Sequence, residues 1–237
     1  MGLIDDGALA ATIKRLGEFD PQASVIDLLE QVNDGVVDIF EIDGAGLLFL
    51  DDEAVPRYVV ASGGTSRILE TTQEHLGAGP CVESLINDAV VTVDDFEVDG
   101  RWPELAAVVV PEGIRSMAGI PIKVGGGAVG SLNVYRSRPS TWSPSEHAAL
   151  TSFNTLIESV LAMAIMADRH ETLVGQLQQA LDSRVVIERA VGLLMGRHDL
   201  DAVAAFRLLR SKARSQQRKI HEVAAELLDE AAAPPAP

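Results

Sequence analysis

No proline interrupts the chain between Pro144 and Arg197. Inside that stretch Leu150, Phe153, Ile157, Val160, Ala164 and Ala167 step by three and four. Such spacing lays side chains along one stripe of a helix, in a heptad-like seam. The stretch opens with Ser143, Pro144 and Glu146 in the order of a capping box, with proline at the first helical position. Gly175 and Gly192 stand alone within it, and the polar run DRHET, residues 168–172, breaks the seam before Leu173, Leu177 and Leu181 resume it on a shifted register. The pattern predicts a helix of about 50 residues from Ser143 to Arg197, with the polar break near Asp168 as the place for a kink. That is too long for one compact domain. Such a helix bridges two domains or pairs with its copy in a dimer.

The segments on the two sides of this helix differ in kind. Ahead of it, ASVIDLLEQVNDGVVDIF carries Val25, Leu28, Leu29, Val32, Val36 and Ile39 at helical spacing, and GAGLLFLDD and RYVVASG read as strands joined by DDEAVP. TSRILETTQEHL reads as a helix capped by Thr65 or Ser66, GPCVESLIND as a short helix after a glycine turn, VVTVDDF as a strand and WPELAAVVVPEG as a short helix. MAGIPIKV and GSLNVYR are strands around GGGA, a hairpin signal. The fold class expected is α+β, around one mainly antiparallel sheet. Behind the long helix come two short ones. The first starts near Asp201 and buries Ala202, Ala205, Phe206, Leu209 and Ala213. The second buries Ile220, Val223, Ala224, Leu227 and Leu228. With the end of the long helix they make a three-helix unit.

Charge divides the chain at the same place. The formal net charge is −16 over 237 residues. Residues 172–230 hold nine basic and eight acidic side chains, whereas residues 1–171 hold ten basic and 27 acidic. The mean field of such a chain repels nucleic acid and anionic lipid, which argues against a general polyanion binder. Yet FRLLRSKARSQQRKI, Phe206–Ile220, holds six basic residues and no acid. Arg207, Arg210 and Arg214 fall at i, i+3 and i+7 on one helix face, Lys212 lies between them, and Arg218 and Lys219 open the next helix. Arg184 and Arg189 add charge on the preceding helix. This arrangement points to polyanion binding.

Other motifs carry less. GGGAVG, Gly125–Gly130, matches a dinucleotide-binding pattern, but a strand comes after it where that motif needs a helix. Cys81 is the single cysteine, which excludes an intrachain disulfide and fits a reducing compartment. It lies near a helix N-terminus, where a thiol becomes reactive, although packing is the commoner role of a free cysteine. His75, His147, His170, His198 and His221 share no metal-ligand spacing. No nucleophile–base arrangement or phosphate-binding loop stands out. The expectation is therefore no enzyme, no metal and no cofactor. The start MGLIDDGALA carries no signal-peptide pattern, and no apolar run approaches membrane-spanning length, so the protein is expected in the cytoplasm and off the membrane.

LQQALDSRVVIERAVGLLM and AAFRLLRSKARSQQRKIHEVAAELL together resemble the ANTAR domain, through the spacing of Ser183-Arg184, Ala190, Gly192, Leu194-Met195, Phe206, Leu209-Arg210, Ala213 and Val223-Ala224. The resemblance implies a three-helix RNA-binding module that grips paired stem-loops in nascent transcripts, prevents terminator formation and works as a dimer. Val191 departs from it, where many members carry Lys, and removes one positive charge. The stretch from about Ala23 to Ile165 resembles a GAF domain, through LGAGPCVESL, VVTVDD, RWPELAAVVVPEGIRSMAGIPI and GAVGSLNVYRSRPSTWS. That family binds chemically diverse ligands.

The combined expectation has four parts: a lead-in at 1–20, a GAF-like sensor at 21–167, an ANTAR-like unit at 168–230 and a disordered tail at 231–237. RNA would be held by Arg184, Arg189, Arg207, Arg210, Lys212, Arg214, Arg218 and Lys219. A small-molecule or partner signal would act on the sensor, with Cys81, Asp94, Asp95 and Arg115 as its candidate contacts. The function expected is a homodimeric RNA-binding antitermination regulator. The alternatives are a DNA-binding regulator and a non-catalytic dimeric sensor or scaffold.

Overall fold

A computed structural model describes residues 24–40, 42–51, 56–166 and 172–232, with positions 7, 10 and 14 besides. The expected lead-in and tail fall almost wholly outside the described residues.

The first helix, α1 (Val25–Ile39), starts where the sequence provides a capping box. The Ser24 side chain accepts from the Asp27 amide, and Asp27 accepts from the Ser24 amide. Its apolar stripe of Val25, Leu28, Leu29, Val32 and Val36 is buried. Strands β1 (Gly44–Leu50) and β2 (Pro56–Ala61) come next, then α2 (Gly64–Leu76) and α3 (Pro80–Asn87). Helix α2 begins at Gly64, with Gly63 as a cap that offers no side chain, so neither Thr65 nor Ser66 is the cap. Strand β3 (Val91–Val93) is shorter than VVTVDDF suggested, because Asp95 caps a helical turn, α4 (Phe96–Asp99), through the Glu97 amide. Then come α5 (Pro103–Val109), β4 (Ser116–Val124) and β5 (Gly127–Arg136).

The five strands form one antiparallel sheet in the order β2-β1-β5-β4-β3. The β4–β5 connection is Gly125-Gly126, with φ of 60° and 86°. Two successive positive φ values belong to the I′ turn that matches strand twist, and glycine adopts them at little cost. GGGAVG is thus a hairpin.

Each strand sends alternate side chains to opposite faces. Leu47, Ile120, Leu132 and Val134 join α1 and the long helix α6 (Pro144–Met166) in one apolar cluster. Leu48, Met117, Ala128 and Tyr135 face α2, α3 and α5 in a second. The alternation breaks once in β5. Ile122 pairs with Gly130 and Lys123 with Ala128, so Val129 is an extra residue, a bulge. The bulge turns Ala128 toward the α3 face.

Helix α6 begins as its sequence predicts. The Ser143 amide donates to Glu146 at 2.8 Å, and the Glu146 amide donates back to the Ser143 hydroxyl at 3.3 Å. Among the described residues α6 is long and apolar enough to cross a membrane, which the sequence reading did not anticipate. Here Leu150, Phe153, Ile157 and Val160 are fully covered by the sheet and α1.

The expected 50-residue helix is described as α6 and a second helix, α7 (Thr172–His198), with residues 167–171 outside the described residues. Val174 and Leu181 of α7 pack on the first cluster. Helices α8 (Ala202–Gln216) and α9 (Ile220–Ala232) complete a separate core with α7, where Ala190, Leu194, Ala205, Leu209, Ala213, Val223 and Ala224 are buried.

Candidate nucleic-acid interface

Helix α8 carries the basic face. Asp201 caps it by accepting from the Ala204 amide at 2.7 Å. Ala205, Leu209 and Ala213 turn inward, which sends Arg207, Arg210 and Arg214 to the other side. The three arginines do meet. With Leu76, Gly77 and Ser211 they line a cavity of about 180 Å³, against the C-terminal end of α2. Arg207 and Arg214 are exposed and Lys212 is half-buried.

The remaining predicted cations are spent differently. Arg184 is half-buried: its Nε donates to Glu188 at 2.5 Å, and its Nη1 donates to the carbonyl oxygen of Ala128 at the β5 bulge. Arg218 pairs with Glu226 and, at 3.7 Å, with Glu222. Both acids hold its charge on the surface of α9. Lys219 caps α9 through its own carbonyl, which accepts from the Glu222 and Val223 amides. Arg189 is exposed on α7.

Arg210 was expected on an open surface and is 8% exposed. It lies where α2 ends at Gly77, a residue in the left-handed region with φ 59°. A Cβ on Gly77 would collide with Arg210 Nη1. The glycine therefore serves two needs at once, ending the helix and leaving room for the guanidinium. Burial and the neighbouring Arg214 hold the Arg210 pKa below the usual arginine value.

Beside this basic cavity runs an apolar seam of about 270 Å³ between the two cores. Val82, Leu85 and Ile86 of α3 form one wall, and Ile187, Met195 and Phe206 form the other. Nothing in the sequence marked α3 as a docking face, because its apolar residues serve equally for a core.

Of the candidate sensor contacts, Arg115 and Asp95 meet each other, and Cys81 lies apart in the core. Arg115 forks onto Asp95 at 3.0 and 2.9 Å and reaches Glu97 at 2.8 Å, and the Arg115 hydrogen bonds hold the Asp95 carboxyl below its usual range. Asp94 accepts from the Thr141 hydroxyl. Cys81 is completely buried in the second cluster. Burial, then the nearby Glu70, push its thiol well up, opposite to what a helix N-terminus alone would do.

The sequence reading missed a polar chain beside Cys81. Glu70 accepts from Asn133 at 2.7 Å, Asn133 accepts from Ser131 at 2.8 Å, and Ser131 meets Ser84 at 3.0 Å. Gln73 accepts from the Cys81 amide. Burial pushes the Glu70 carboxyl up to about 8 against the opposing Asn133 bond, so it holds its proton at neutral pH.

A GAF domain model matches residues 24–161, and an ANTAR domain model matches residues 175–228. The chain is a GAF and ANTAR domain protein. Both are regulatory domains. The GAF sheet and its flanking helices occupy the first match, and the basic face of α8 lies inside the second. No curated protein matches the chain. Among solved structures, the GAF domain of an Acinetobacter phosphoenolpyruvate-protein phosphotransferase covers 72% of this chain and 100% of its own, at 17% identity and TM-score 0.56. The corresponding domain from Coxiella burnetii covers 69% and 98%, at 16% and 0.54. Free methionine-R-sulfoxide reductase from Neisseria meningitidis covers 70% and 96%, at 14% and 0.54. At these identities the likeness is one of fold, and the GAF fold serves an enzyme as well as regulators.

Proposed function

We propose that this GAF–ANTAR protein is a transcription antitermination regulator whose ANTAR unit binds stem-loops in nascent RNA. The observation that carries this is the basic run of α8 and the turn after it, six cations without an acid in a chain of net charge −16. Arg207 and Arg214 face solvent there, and Arg189 is exposed on α7. Exposed guanidinium groups bind phosphates as planar forks and stack on unpaired bases. The phosphate contacts give affinity, and loop bases give specificity.

The GAF unit is the regulatory half of this reading. With α3 against α7 and α8, Arg184 and Arg210 are held on the GAF surface, so two of the eight expected RNA contacts are withheld. A signal that loosens the seam frees them. The acidic GAF unit also repels RNA while it sits beside the strip. Dimerisation belongs to the same reading. Met163 and Met166 at the end of α6 and Val185 on α7 are 50%, 86% and 53% exposed, and large apolar side chains so placed suit a second copy.

Titration of the full-length protein with stem-loop RNA and with duplex DNA of equal charge tests the reading. Preferential binding of the stem-loop is expected. Equal binding of both would favour a DNA-reading regulator, and binding of neither would leave a sensor or scaffold.

A further inference from the structure

Two arginines are buried among the described residues, Arg136 and Arg210, at 6% and 8% exposure. Their situations are opposite. Arg136 is paired, donating to Glu146 at 2.6 Å and to the Ser140 hydroxyl at 2.8 Å. Arg210 has neither: its Nε and Nη2 are buried without a hydrogen-bond partner. A guanidinium keeps its proton in any protein setting. Two of the three Arg210 guanidinium nitrogens are thus buried without a partner, which is unfavourable for a charged group.

The surroundings make the charge less comfortable still. Arg207 and Arg214 share the same cavity of about 180 Å³, and like charges on one helix face repel. Asp51 lies within electrostatic reach of Arg210, but it accepts from Arg57 at 2.9 Å. Arg57 also holds Glu74 at 2.9 Å. Asp51 and Glu74 are thus engaged with another arginine, and Glu83 lies within electrostatic reach of Arg207. Arg207, Arg210 and Arg214 line one small concavity, and Arg214 lies within electrostatic reach of Arg210; such a set suits a tetrahedral oxyanion, whose several oxygens accept from more than one planar fork. Leu76 and Gly77, at the C-terminal end of α2, complete the lining of the cavity.

We propose that this cavity binds one phosphate group of a small free molecule, inorganic phosphate or a phosphate monoester, and that the anion fastens α8 to the C-terminal end of α2. The bound phosphate neutralises Arg210 and occupies Arg207 and Arg214, so it stabilises the docked arrangement and competes with RNA for the same side chains. The binding site rests on the geometry alone, and only the competition rests on the RNA-binding reading.

Thermal unfolding of the full-length protein at pH 7 tests it, with inorganic phosphate titrated against sodium chloride at equal ionic strength. A ligand bound by the folded form alone raises Tm with its concentration. A saturable rise of a few degrees is expected in the wild type. It should vanish in Arg210→Leu, which replaces the buried charge with an apolar side chain, and shrink by at least half in Arg214→Gln, an exposed position whose change leaves the core intact. A rise that tracks ionic strength alone, or equal rises in all three proteins, overturns the site. Stem-loop binding is measured in parallel. A phosphate-dependent Tm with no RNA binding keeps the cavity and removes the RNA reading. RNA binding that is lost in Arg210→Leu, with no phosphate effect on Tm, gives Arg210 to RNA and removes the cavity.

Discussion

Glu70 spends the folded state inside the GAF unit, with Asn133 donating to one carboxyl oxygen and the other buried without a partner. Its folded pKa of about 8 lies above the unperturbed value of about 4.3. The native protein therefore holds a proton that the unfolded chain releases at neutral pH. Stability from this group is fully present below about pH 4.3 and is lost as pH rises through about 8. Glu70→Gln should flatten that decline, and urea unfolding of both proteins from pH 5 to 9 measures it. Nothing in TSRILETTQEHL distinguishes Glu70 from a solvated helix acid, because Ser66, Leu69, Glu70 and Gln73 make a buried face that is mostly polar. Hydrophobic periodicity is silent about such a face. Gly77 is the other residue whose role is not legible. Gly77→Ala puts a side chain in the left-handed region, which disfavours it by roughly 1–2 kcal/mol, and forces Arg210 out of its berth. Urea unfolding should show that loss. Faster modification of Arg210 by phenylglyoxal, monitored by mass spectrometry, should show the displacement.

Elements were easier to read than residues, where one periodicity governed a whole segment. The capping boxes at Ser24 and Ser143, the glycine hairpin and the apolar stripes of α1, α6, α8 and α9 all arise from local spacing. Strand order did not, since β1 pairs with β5 across a separation that no local pattern encodes. The basic face of α8 was legible as a face. Which of its members would be covered was not, because the covering atoms belong to α2, more than a hundred residues earlier in the chain. The inner side of α8 is where its stability resides. Leu209 is fully buried between α7 and α9, and Leu209→Ala should destabilise the ANTAR unit by about 2–5 kcal/mol. Helical circular dichroism during urea unfolding should then resolve an earlier transition for α7–α9, ahead of the GAF sheet.

At the scale of the whole molecule, charge and docking act together. An acidic GAF unit and a basic ANTAR strip share one chain, and the seam between them consists of apolar side chains from α3, α7 and α8. Ile86 is half-buried on the GAF side of that seam, so an acid there meets an apolar wall that cannot solvate it. Ile86→Asp should loosen the docking and raise RNA affinity several-fold at matched salt. Unchanged affinity would remove docking from the account of regulation.

The central claim is that exposed arginines of α8 bind RNA phosphates. It is tested most directly by the salt dependence of stem-loop binding in the wild type and in the Arg207→Ala/Arg214→Ala double variant. Each phosphate contact contributes about one to the log–log slope. Weaker binding by the double variant is expected, with a slope shallower by about two. Identical slopes and affinities in the two proteins would contradict the claim.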